Sequence, residues 1–235
     1  MCHALASGMA LRHMLKLTLV PAFLLLGAAC TPPPATAVAQ MLVRQHRDDD
    51  AIGTLRRRLL AHPEDSAARR LLVRLLGMSG QMEAARAEVR ELRRRSPPGD
   101  PMPDIELGHA LELAHRYDEA LAAYDEAARS APLSPDGPRE AGMRCARWGE
   151  PELARPRLEE AVRRGARDAE TWHALGLVRL HMGDDDGAAY AYRVCAAQNP
   201  KEPECWLGLA TVGIVRGDSR MALSAYDHVL VFAPR

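Results

Sequence analysis

The chain of 235 residues has almost no lysine, few aromatics, no excess of either charge and no long apolar run. Lysine occurs only as Lys16 and Lys201, so arginine supplies nearly all the positive charge. Basic and acidic residues both total 31, which leaves no whole-chain attraction for a nucleic acid and excludes that partner class. With two phenylalanines and 4% aromatics, core volume has to come from leucine, alanine and valine. That composition suits helix packed on helix and predicts an all-α fold with few strands or none. An apolar content of 47% excludes disorder and a disulfide miniprotein, and the length allows one or two domains.

Motifs of catalysis are missing as well. There is no GxGxxG, P-loop, HExxH, GxSxG or CxxC, so an enzyme reading has no support and no cofactor is expected. The nine histidines are scattered singly, and His109, His173 and His181 form no closely spaced metal set. Asp184-Asp185-Asp186-Gly187 lacks the alternating ligands and distal glutamate of a calcium loop, and reads as helix-capping residues. No metal site is expected.

At the amino terminus, Arg12 and Lys16 precede the apolar run 17–29, LTLVPAFLLLGAA, which ends at Cys30. This is the layout of a signal peptide over residues 1–29, and it is shorter than the roughly 20 residues of a membrane-spanning helix. Gly27, Ala28 and Ala29 before Cys30 resemble a bacterial lipobox, which implies that Cys30 becomes the acylated first residue; the alternative is an ordinary cleaved signal followed by a free thiol. The frame departs from the family pattern, with Leu26 one place early. Residues 30–35, CTPPPA, then form a proline-rich tether. Thr31, where sorting signals for retention at the inner membrane carry Asp, implies by the same resemblance an outer-membrane lipoprotein facing the periplasm.

The strongest signal is internal repetition. Trp172 and Trp206, Gly183 and Gly217, Ala188 and Ala222, Tyr192 and Tyr226, and Pro200 and Pro234 are each 34 residues apart. Within each unit, Trp172 and Leu175 read as fillers between helices, Gly176 and Ala188 as points of close approach, and Pro200 as a helix stop. The same period places units at 169–202, 203–235, 135–168, 101–134 and 66–99, with one extra residue near Gly99 and Asp100 and a degenerate first unit at 36–63. The spacing and residue types resemble the tetratricopeptide repeat, which implies a superhelical solenoid of about six helix-turn-helix units.

That resemblance implies further placements. Cys195 falls in the second helix of one unit and Cys205 near the start of the next, side by side. In an exported protein they are expected to form a disulfide, with two buried free thiols as the alternative, while Cys145 has no evident partner. The binding face of such solenoids is lined by the first helix of each unit. In this frame it comprises Arg70, Arg74, Ile105, His109, Arg139, Met143, His173, Leu177, Leu207 and Thr211, a groove basic at one end and apolar at the other. The apolar terminal helix around Met221, Leu223, Val229, Leu230, Val231 and Phe232 is a second candidate contact surface, with packing into the core as the alternative. A lipid-anchored chain of six such repeats resembles the pilot lipoproteins of type IV pili. The resemblance implies a non-catalytic protein that binds secretin subunits and reaches the membrane through its lipid anchor. A periplasmic scaffold for polysaccharide export or cell-wall synthesis is the alternative.

Overall fold

Alanine, leucine and arginine are strong helix formers, and turn signals interrupt them at near-regular intervals. The resulting architecture is a series of paired antiparallel helices, seen in a computed structural model that describes residues 33–232. Twelve helices occur among the described residues, and no strand. They are α1 (Ala35–Arg44), α2 (Asp48–Ala61), α3 (Ser66–Met78), α4 (Met82–Arg95), α5 (Met102–Leu113), α6 (Tyr117–Ser130), α7 (Asp136–Trp148), α8 (Pro151–Arg163), α9 (Ala169–His181), α10 (Asp185–Gln198), α11 (Pro203–Val215) and α12 (Ser219–Phe232). The stretch expected to be a signal peptide, Cys30, most of the expected tether and Pro234 lie outside the described residues.

Each odd-numbered helix packs on the even-numbered helix that follows it, and each even-numbered helix up to α10 packs on the next odd one. The first helices of successive pairs also touch: α1 with α3, α3 with α5, α7 with α9, and α9 with α11. Local chemistry sets the punctuation. The carboxylates of Asp65, Asp168 and Asp184 accept from the backbone N–H three residues on, at 2.9 Å each, and so cap α3, α9 and α10. Between the helices of every pair sits one residue in the left-handed conformation: His46, Gly80, His115, Gly149, Gly183 and Gly217. These six positions are 34 residues apart, except for 35 between Gly80 and His115, where the extra residue is absorbed by a turn at Gly99. Histidine replaces glycine at two of them despite its Cβ, because the turn is held by backbone hydrogen bonds on both sides, His46 to Val43 and His115 to Glu112 at 2.9 Å.

The core is a succession of apolar clusters handed from pair to pair. Its two largest fully buried side chains are Tyr124 and Tyr192. Helix α8 runs through Pro156, which lies on its exposed side; the missing N–H leaves the carbonyl of Glu152 without its helical partner. Cys195 on α10 and Cys205 on α11 are joined in a disulfide, with Cα atoms 5.7 Å apart, within the usual range of about 4.4–6.8 Å. Cys145 is a buried free thiol. The bridge closes a short loop across the last inter-repeat junction. Reduction, or Cys195→Ala with Cys205→Ala, is expected to lower stability by about 2–3 kcal/mol in urea denaturation. An unchanged midpoint would refute that contribution.

Candidate protein-binding groove

The row of first helices, α3, α5, α7, α9 and α11, carries every residue expected to line the groove. Arg70 is half-buried and borders a pocket of about 340 Å³ with Pro63, Glu64, Arg69 and Arg95. Arg74 reaches across to the next first helix, where its Nε and Nη2 donate to the two carboxylate oxygens of Glu106 at 2.6 and 2.8 Å. Ile105 does not line the groove. It is 3% exposed and belongs to the apolar core, because α5 is packed by α3, α4 and α6 at once. His109 is half-buried, with Nε2 3.3 Å from Glu140 and Nδ1 3.5 Å from Glu106.

Further along, Arg139 is held by Glu140, Asp168, Glu170 and the Thr171 hydroxyl. Met143 packs against the second apolar cluster. The ring of His173 lies 5.7 Å from that of Tyr192, near Glu170, Glu202 and Glu204. Leu177 is half-buried, Leu207 is 41% exposed, and the exposed Thr211 donates to the Leu207 carbonyl at 2.9 Å. On the terminal helix, Leu223, Leu230 and Val231 are exposed while Ala222 and Ala225 are buried.

Arginines at the amino-terminal end of the row are thus largely compensated. A ladder of opposite charges runs from Arg74 through Glu106, His109, Glu140 and Arg144 to Glu112, and a branch passes from Glu140 through Arg139 to Asp168 and Glu170. At the expected basic end Arg74 is matched by Glu106 and Arg69 by Glu88, while Arg70 has no ion-pair partner among the described residues. Glu112 also accepts from the Tyr124 hydroxyl and the Trp148 indole N–H, both at 3.3 Å, which holds the buried Tyr124 ring and the half-buried Trp148 ring beside the ladder. Burial alone would raise the carboxyl of Glu140, but the hydrogen bond from His109 and the charges of Arg144 and Arg139 outweigh it and hold Glu140 down to about 2. Burial likewise opposes the shift at Glu106, where His109 and Arg74 lower the value. For His109, burial pulls down and the hydrogen bonds to Glu106 and Glu140 push up more strongly, so its value is raised.

Glu106, Glu112, Glu140 and Arg144 were not singled out in the sequence. The signal was present: partners in neighbouring pairs stand 31 or 32 residues apart, as in Arg74–Glu106, His109–Glu140 and, on the second helices, Arg157–Asp125. Among the described residues no group of three His, Cys, Asp or Glu is placed to hold a metal ion, and no helix is long and apolar enough to cross a membrane. Chemically, the row presents hydrogen-bonding groups and apolar side chains, with most of its charges matched within the row.

Comparisons with known proteins agree with this geometry. A tetratricopeptide repeat model matches residues 39–101 and 147–203. No curated protein sequence matches the chain. Among solved structures, the chain is similar to YrrB, described as a TPR protein with an unusual peptide-binding site. They share 19% identity at a TM-score of 0.56, over 77% of this chain and 92% of that one. It is also similar to MamA from Desulfovibrio magneticus RS-1, with 21% identity and a TM-score of 0.55 over 70% and 94%. A third is PilW, described as a widely conserved type IV pilus biogenesis factor, with 15% identity and a TM-score of 0.58 over 84% and 91%. At these identities the likeness is one of fold. With the repeat model spanning just over half the residues and twelve helices paired in its register, the chain belongs to the tetratricopeptide repeat family of protein-interaction scaffolds.

Proposed function

We propose that this protein is an outer-membrane-anchored, non-catalytic lipoprotein that binds a protein partner along its first-helix row and promotes assembly of an envelope complex, the type IV pilus secretin. The observation that carries the reading is the combination of a fold matching 91% of the PilW chain with an amino-terminal signal layout ending at Cys30. Acyl chains on Cys30 contribute about 0.8 kcal/mol per buried CH₂, so several would hold the solenoid at the periplasmic face. Confinement to that layer raises the effective concentration of a captured subunit, and ring assembly becomes favourable there first. The matched charges of the row favour a partner segment read by hydrogen bonds and apolar contacts over one read by a single charged end.

The test is the amount of heat-resistant secretin multimer in outer-membrane fractions from cells with and without the protein. Loss of multimer with monomer retained is the expected result. Unchanged multimer would reject the secretin and direct the search, by crosslinking, to another envelope machine. Cys30→Ala is expected to move the protein out of the outer-membrane fraction with its helical content intact, and normal fractionation of that variant would remove the lipid anchor from the account.

A further inference from the structure

At the edge where successive interhelical turns meet, at the end of α7 and the start of α6, the chain brings two aromatic rings and two carboxylates together. Tyr117 stands just after the left-handed turn at His115, and Trp148 just before the one at Gly149. Their ring centroids lie 5.3 Å apart in an edge-to-face arrangement. The Trp148 indole N–H is already engaged by Glu112 and the Tyr117 hydroxyl by His115 at 3.1 Å, so both rings are fixed by their polar ends and their apolar surfaces are left to the pocket. Leu121 and Leu153 complete an apolar lining, and Asp118 and Glu150 flank it. The cavity is about 510 Å³, within the roughly 300–1,000 Å³ typical of ligand pockets. Tyr117 is 45% and Leu153 43% exposed, so it opens directly to solvent.

Both carboxylates are unspent. Glu150 precedes α8 without capping it through its side chain, and the adjacent Arg116 is taken by Glu119. Among the described residues neither Asp118 nor Glu150 has an ion-pair partner, in contrast to the matched acids of the first-helix row. Aromatic faces attract cations, and arginine does this best because its planar guanidinium stacks on a ring while donating to carboxylates at its rim.

We propose that Tyr117, Trp148, Asp118 and Glu150 form a binding site for an arginine side chain of a partner polypeptide, with its guanidinium against the rings and its methylene stem on Leu121 and Leu153. The proposal rests on the protein-binding reading above and adds a second contact point at the turn edge. An open pocket at a turn edge, reachable by a chain passing across the repeats, fits a residue carried by a polypeptide.

The experiment is a titration of the full chain with the capped peptide acetyl-(Gly-Arg)4-amide, followed by the indole N–H resonance of Trp148, which is assigned by Trp148→Phe. A saturable shift is expected, absent with the citrulline counterpart, which keeps the shape and loses the charge. Asp118→Asn with Glu150→Gln is expected to weaken binding about tenfold. Both positions are exposed, and unchanged Trp172 and Trp206 resonances would verify that the variant is folded. No saturable shift with the arginine peptide, equal shifts with the citrulline peptide, or undiminished binding by the folded double variant would each overturn the site. This titration reads the pocket independently of any secretin, so failure of the secretin reading leaves it intact.

Discussion

Tyr192→Ala is expected to destabilise the carboxy-terminal repeats by about 3–5 kcal/mol, the range for deleting a buried aromatic ring. Tyr192 is 2% exposed, and its ring occupies the space left by the missing side chains of Gly176 on α9 and Gly208 on α11. A Cβ built on Gly176 would come within 2.9 Å of the ring, so three helices are fitted around this one side chain. Burial pushes the phenol up to about 12, and the hydroxyl makes no hydrogen bond to another side chain or backbone group among the described residues, so it contributes little beyond its volume. Tyr192→Phe should therefore stay within about 1 kcal/mol of the parent. Because repeat arrays are stabilised chiefly through neighbouring units, hydrogen exchange in the alanine variant should accelerate across α9–α12 and far less in α1–α4. A uniform acceleration, or a loss below about 1 kcal/mol, would contradict this account.

Glu140→Gln is the second large effect, with an expected cost of about 2–4 kcal/mol, because it leaves Arg139, Arg144 and His109 around a neutral amide. The acid side of the stability profile follows from the sign of the shift. A carboxyl lowered from 4.5 to about 2 contributes stability that is present above its unfolded value and lost as pH falls toward the folded one. That loss has an upper limit of about 3 kcal/mol. His109 behaves oppositely: its raised value means that its contribution is present below its unfolded value of 6.5 and lost as pH rises through the folded one. The ladder is thus strongest between about pH 4.5 and 6.5. Urea denaturation at about pH 3, 5.5 and 8 should show the acid-side loss in the parent and a smaller one in Glu140→Gln, where Glu106 still contributes. Parallel curves would exclude Glu140 as its source.

Most of the helix pairing is written in the sequence itself. Recurrence of Gly183 and Gly217, Ala188 and Ala222, and the tryptophans at one spacing marks turns and contacts that each unit must satisfy in the same way. Even the irregular spacing near Gly99 appeared as a break in the period and is a turn in the fold. His46 and His115 were harder to see as turn residues, since histidine carries no glycine signal; only the backbone shows them left-handed. The groove was legible as a list of positions and misleading as a surface. A residue's index in the repeat says which helix it lies on, and Ile105 shares its index with the half-buried Arg70, Arg139 and His173 and the exposed Leu207 yet is itself buried by the particular packing around α5.

The two repeated tyrosines separate the levels most clearly. Tyr192 and Tyr226 occupy the same place in consecutive units, and local sequence makes them equivalent; the first is sealed between glycines, while the second is 39% exposed on α12. Period, helix boundaries and family reside in near-neighbour patterns of size, polarity and turn preference, and these act within one unit, so the chain alone specifies them. The Cys195–Cys205 bridge is foreseeable from the repeat frame, whereas charge matching between Arg74 and Glu106, the burial of Ile105 and the meeting of Tyr117 with Trp148 involve groups from different helices. Their distances exist only once the units are stacked, because the offset between adjacent units, not the repeat length, decides which side chains meet.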